Sequence, residues 1–230
     1  MKAEFFGVPG SGKTTVAKLF DGVETLKQRE GRIKYQKWKH DSINLKLRLI
    51  IFSALIVIRN PVLARDFVFD ELFKVYSLKA NVSVFVKSVM FLNSKGAVIS
   101  DQGVVQHVIN ALAASDSKKN LVEIYLKKYE RLFCRECCYV YFSIAPASAL
   151  FRIKSRKGGT TKKYDLVDLA KSNVYINALQ CMEEEKAIFE YVKSVMISNG
   201  YNVLTINAED DAELKQGQLM KHFFKAELYE

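Results

Sequence analysis

Gly7-Val8-Pro9-Gly10-Ser11-Gly12-Lys13-Thr14 matches the phosphate-binding pattern G-x-x-x-x-G-K-[ST] at every fixed position. Ahead of it, Ala3-Glu4-Phe5-Phe6 reads as a short buried strand. Behind it, Thr15-Val16-Ala17-Lys18-Leu19-Phe20 reads as the opening of a helix. Strand, loop and helix in that order are the context the pattern requires. The glycines let successive backbone N–H groups turn inward around a phosphate, where side chains would block the approach. A helix starting near Gly12 adds unpaired N–H groups and its positive dipole end. Lys13 is placed to reach the outer phosphates, and the Thr14 hydroxyl to bind the magnesium that travels with the nucleotide. Pro9, Ser11 and Thr15 complete the expected contacts to the nucleotide. The stretch implies a nucleoside triphosphate site.

The rest of the chain is consistent with one domain around that loop. With 230 residues, 49% of them apolar, it can bury one substantial core, so a single α/β domain over residues 1–230 is expected. Eleven glycines and three prolines argue against long linkers or low-complexity segments. The net charge of +10 suits a phosphate site and does not by itself require nucleic acid. The longest apolar run, Leu49 to Ile58, lies between Arg48 and Arg59 and falls well short of the roughly 20 residues of a membrane span. It reads as a buried helix. With the loop so near the start, no secretory signal is expected. Cys134, Cys137, Cys138 and Cys181 lack a second Cys/His pair at ligand spacing, so reduced thiols of a cytoplasmic protein are expected rather than zinc.

Further strands are expected at Arg32–Tyr35, Gly96–Asp101, Tyr139–Ile144 and Asn202–Ile206. Helical spacing runs from Asp41 to about Leu92, over Val104–Ala114 and Lys118–Phe133, after Pro146, over Asp165–Ser198 and over Asp210–Phe224. Strands separated by helices imply a parallel sheet with helices on both faces.

Two elements support the loop chemically. Asp101 follows the apolar run Ala97-Val98-Ile99 and can complete a magnesium shell or orient an attacking oxygen; it can also cap the following helix. Residues 152–163 hold six basic side chains in twelve positions, with Arg152 and Arg156 one helical turn apart and Gly158-Gly159 as a hinge. That pattern suits a lid whose guanidinium groups stabilise charge on a transferring phosphoryl group while closure excludes water. The helical region 41–92 is where an acceptor site is expected.

Together these residues resemble the nucleoside and nucleotide kinases that share the P-loop NTPase fold, most of all thymidylate kinase. The resemblance is carried by Phe5 to Thr15, Val98 to Gly103, Val140 to Pro146 leading to Arg152 and Arg156, and Tyr201 to Ala208. It implies a five-stranded parallel sheet of order 2-3-1-4-5, ATP and Mg2+, Asn207-Ala208 near the adenine, and a homodimer. It also implies a catalytic set of Lys13, Asp101, Arg152 and Arg156. Gln102 stands where thymidylate kinases carry an Arg, so the acceptor is left open: a nucleotide, a sugar or a small metabolite. A nucleotide-dependent regulatory ATPase and a polynucleotide-end kinase are the competing expectations.

Overall fold

A computed structural model of the chain describes residues 2–20, 24–25, 54–71, 74, 76–94, 97–101, 103–114, 121–155 and 172–225. The expected strand Arg32–Tyr35, residues 41–53 of the acceptor region, Gln102, and Arg156 with the rest of the lid lie outside the described residues. The chain divides into two units, Met1–Glu4 with Gly22–Cys137 and Phe5–Asp21 with Cys138–Glu230.

Strand order across the sheet is β2-β3-β1-β4-β5. Four strands of three to six residues form its body: β1 (Lys2–Phe6), β3 (Val98–Ser100), β4 (Cys138–Ser143) and β5 (Asn202–Asn207). The strand expected at Arg32–Tyr35 lies outside the described residues, and among those described the strand beside β3 comes earlier in the chain. A two-residue β2, Glu24–Thr25, takes that role and pairs in parallel with Val98 and Ile99.

In the first unit β1 and β3 run parallel, with Lys2, Ala3 and Glu4 opposite Val98, Ile99 and Ser100. The expected helical stretch breaks into residues 54–59, α2 (Pro61–Val68) and α3 (Leu78–Leu92). Pro61 opens α2 with its fixed φ, and the Ser77 side chain caps α3 by accepting the Ala80 N–H. Next comes α4 (Val104–Ala114), which buries Val104, Val105, Val108, Ile109, Ala111 and Leu112 as one broad apolar face. The helix expected over Lys118–Phe133 is shorter: α5 (Val122–Lys128) is followed by a 3-10 turn, Glu130–Leu132. Buried Asp70 tightens this corner by accepting the Tyr129 hydroxyl and the Lys128 ammonium.

The second unit is built on β4 and β5, parallel from Cys138↔Asn202 to Ser143↔Asn207. Successive β4 residues Tyr139, Val140, Tyr141 and Phe142 are all buried, so both faces of this strand are covered. Phe5 meets Phe142 at 5.1 Å between ring centroids, and Phe6 meets Tyr141 at 5.3 Å. Helices α1 (Lys13–Ala17), α6 (Pro146–Lys154), α7 (Ser172–Ser198) and α8 (Ala212–Lys225) complete the unit. The final strand thus ends one residue later than expected, and α7 covers the described part of the long helix expected from Asp165.

Candidate functional site

The phosphate-binding loop leaves β1 at Gly7 and enters α1 at Lys13. Two close approaches explain its glycines. Gly7 has φ 145°, and a Cβ there would stand 2.7 Å from the Phe142 carbonyl oxygen. Gly10 has φ 86°, and a Cβ there would stand 2.6 Å from the Ala149 carbonyl oxygen in α6. Any side chain at either position would push the loop off β4 or α6. Gly12, with φ 84°, is the residue preceding α1.

Inside the loop Lys13 is buried, and its ammonium donates to the Gly7 carbonyl at 2.7 Å, the Val8 carbonyl at 3.1 Å and the Ser11 hydroxyl at 3.2 Å. These three oxygens are neutral, and an ammonium bonds an anionic phosphate oxygen more strongly than a neutral acceptor. Ser11 is fully buried, whereas Thr14 and Thr15 are exposed in the first turn of α1. An exposed hydroxyl there suits Mg2+, which keeps waters and nucleotide oxygens as most of its ligands. Among the described residues no cluster of three His, Cys, Asp or Glu side chains forms a metal cage.

Arg152 belongs to the same unit. Its Nη1 lies 4.0 Å from where a Gly12 Cβ would stand. The same nitrogen donates to the Ala208 carbonyl at 2.9 Å. Ala208 is fully buried, and its N–H donates to the Ser143 carbonyl at 2.7 Å, fastening the loop after β5 to the end of β4. Lys215 of α8 donates to the same Ala208 carbonyl at 3.0 Å and to the Asp210 carbonyl at 2.5 Å. Burial first, then repulsion from Arg152, pushes the Lys215 ammonium down, while Asp210 and Asp211 pull it back. Beside Arg152 an open depression of about 450 Å³ is lined by Ala147, Ser148, Phe151 and Glu209. The Ser148 hydroxyl, the Ala145 N–H, Arg152 and Lys186 together hold the Glu209 carboxyl below its usual range.

Of the residues singled out from sequence, this unit gathers Gly7, Pro9, Gly10, Ser11, Gly12, Lys13, Thr14, Thr15, Arg152 and Ala208. Asp101 belongs to the first unit, half-buried immediately after β3. The sequence reading missed Lys215 and Glu4. Lys215 gives no signal in a helix of mixed charge. Glu4 does give one, as an acid inside the apolar run Ala3-Glu4-Phe5-Phe6. It is 2% exposed, and its Oε1 accepts the Val105 N–H at 2.8 Å. Burial pushes its carboxyl up to about 8, against the pull of the Val105 and Gln106 N–H groups.

No protein-family model matches the chain, and no curated protein matches it. Solved structures do. Deoxyadenosine kinase from M. mycoides, solved with its products dCMP and dCDP, superposes at a TM-score of 0.57 and 14% identity, over 98% of this chain and 100% of that one. Its dCTP-bound form gives 0.51 at 15% identity over 98% and 100%. The chain shares that kinase's fold. No helix among the described residues is long and apolar enough to cross a membrane.

Proposed function

We propose that this chain is an ATP- and Mg2+-dependent phosphotransferase that moves the γ-phosphoryl group to a small acceptor, a nucleoside or nucleoside monophosphate. The observation that carries the reading is the loop itself: a buried Lys13 ammonium ringed by loop oxygens, with the Arg152 guanidinium against Gly12. The fold shared with a deoxyadenosine kinase supports a nucleoside or nucleoside monophosphate as the acceptor.

In this reading Lys13 and the loop amides orient the β- and γ-phosphates, which lowers the entropic part of the barrier. Arg152, and Arg156 by its place in the sequence, would neutralise charge that builds on the γ-phosphoryl oxygens, a task suited to planar guanidinium groups. Asp101 takes or orients the proton of the attacking hydroxyl. By the sequence pattern Thr14 and Asp101 are the residues that would hold Mg2+, which would supply neutralisation of phosphate charge when bound. Phe151, 70% exposed beside Arg152 and Glu209, offers a ring face for the donor base next to the loop after β5. A cytoplasmic location, expected from the cysteine usage of the sequence, belongs to the same proposal. A homodimer and a lid over 152–163 belong to the same proposal.

The test is ADP release from Mg-ATP with a panel of deoxynucleosides, nucleoside monophosphates including thymidine monophosphate, sugars and oligonucleotides. A large rate with one acceptor class is expected, reduced at least about 100-fold by Lys13→Ala. Slow turnover indifferent to every acceptor would instead indicate a nucleotide-dependent switch.

A further inference from the structure

Glu4 has no part in the chemistry above, yet its placement is costly and specific. A carboxyl in an apolar interior is unfavourable unless its partners compensate. Those partners are the first amides of α4, Val105 N–H at 2.8 Å and Gln106 N–H, a hundred residues along the chain. Helix capping alone does not need such a device, because a Ser, Thr or Asp just before the helix does it locally. The residue in that position is Gly103, and the reason is steric. A Cβ on Gly103 would stand 2.2 Å from the Glu4 carboxyl carbon and 2.5 Å from both of its oxygens. Gly103, immediately before α4, therefore lies directly on the Glu4 carboxyl. Lys87, Ser88 and Ser100 close the remaining space, about 10 Å³, room for one water.

One end of this contact is fixed. Glu4 sits in β1 opposite Ser100, three residues before Gly7. Ser100 in turn precedes Asp101. Glu4 thus pairs through its backbone with the strand end that delivers Asp101 and through its side chain with the helix start that follows.

The geometry points to Glu4 as the positioning residue for Asp101: by pinning the first turn of α4 to β1 it sets where the Asp101 carboxylate stands. This inference rests on the role proposed above for Asp101.

The experiment compares Glu4→Ala, Glu4→Gln, Gly103→Ala and Asp101→Asn in the full chain. Amide hydrogen exchange at Val105 and Gln106 reports the clamp, and the Mg2+ dependence of ATP binding reports the Asp101 carboxylate. Glu4→Ala should accelerate exchange at those two amides and raise the Mg2+ needed for half-maximal binding by about tenfold, the usual size of a positioning effect on a metal site. Glu4→Gln keeps an acceptor oxygen and should restore most of both. Gly103→Ala displaces the carboxyl without deleting it, so it serves if Glu4→Ala fails to fold, and it should reproduce the shift. Unchanged exchange in Glu4→Ala overturns the clamp. Faster exchange with an unmoved Mg2+ curve, where Asp101→Asn does move it, overturns the positioning role. An Asp101→Asn curve that matches the native protein overturns instead the assignment of Asp101, and the inference with it.

Discussion

The Ala208 carbonyl accepts two cationic donors, Arg152 at 2.9 Å and Lys215 at 3.0 Å, so a residue with no functional side chain ties α6 to α8. His107 shows the opposite economy, a titratable ring used as packing. It is buried between Tyr76, 4.3 Å away between centroids, and Phe67, 5.9 Å away. Asn81 donates to the Val68 carbonyl at 3.2 Å, which turns its own oxygen toward the His107 Nε2, also at 3.2 Å. That nitrogen therefore carries the proton of a neutral imidazole. Burial pushes the His107 pKa down from 6.5 to about 4. Between those values the unfolded chain binds more protons than the folded one, so stability falls as pH drops through the window. The loss at the acid end is on the order of 3 kcal/mol. Glu4 acts in the other direction, since its raised carboxyl favours folding more at pH 4.5 than at pH 8. Urea unfolding of the native protein and of His107→Phe at pH 7 and 4.5 separates the two. From pH 7 to 4.5 the stability change of the native protein should be less favourable than that of the variant by about 2–3 kcal/mol.

At the scale of elements, the phosphate-binding loop is held by what lies behind it. Gly10 needs both a left-handed φ of 86° and clearance of the Ala149 carbonyl, whereas Gly12 needs only its φ of 84°, with its nearest neighbour at 4.0 Å. Gly217, inside α8, has nothing within 4 Å of a built Cβ. A graded series follows in thermal or urea unfolding. Gly10→Ala should be the most destabilising, by about 1–3 kcal/mol of backbone strain plus the clash, and should weaken ATP binding as the loop leaves α6. Gly12→Ala should destabilise less, through strain alone. Gly217→Ala should stabilise by roughly 0.5–1 kcal/mol, because alanine loses less backbone entropy in a helix. A Gly10→Ala protein as stable as Gly12→Ala would show that the contact with α6 is not what holds the loop.

For the whole molecule, the net charge of +10 raises the question of polyanions. A kinase of small acceptors should show only the weak oligonucleotide binding of any basic protein, with no ADP release on adding a 5′-hydroxyl end. Anisotropy titrations across salt decide it. Affinity that falls about 1,000-fold between roughly 50 and 200 mM salt, together with end-dependent turnover, would favour the polynucleotide reading. The parallel α/β architecture and the strand–loop–helix around the glycine-rich loop were legible in the sequence because their signals are local. Eight consecutive residues, a strand before them and a helix after them carry the pattern within one short stretch of chain. The second strand was not legible: Glu24–Thr25 has no alternation of its own and exists as a strand through its pairing with Val98 and Ile99. Nor were the partners of Glu4, Arg152 and Lys215. Their bonds span 101, 56 and 7 residues and end on backbone groups, which every residue carries. By itself, then, the sequence determined that a phosphate-binding loop joins strand to helix in a parallel α/β chain. Only the tertiary structure decided which buried charges hold it, because the energy of a buried charge depends on the partners that packing brings to it.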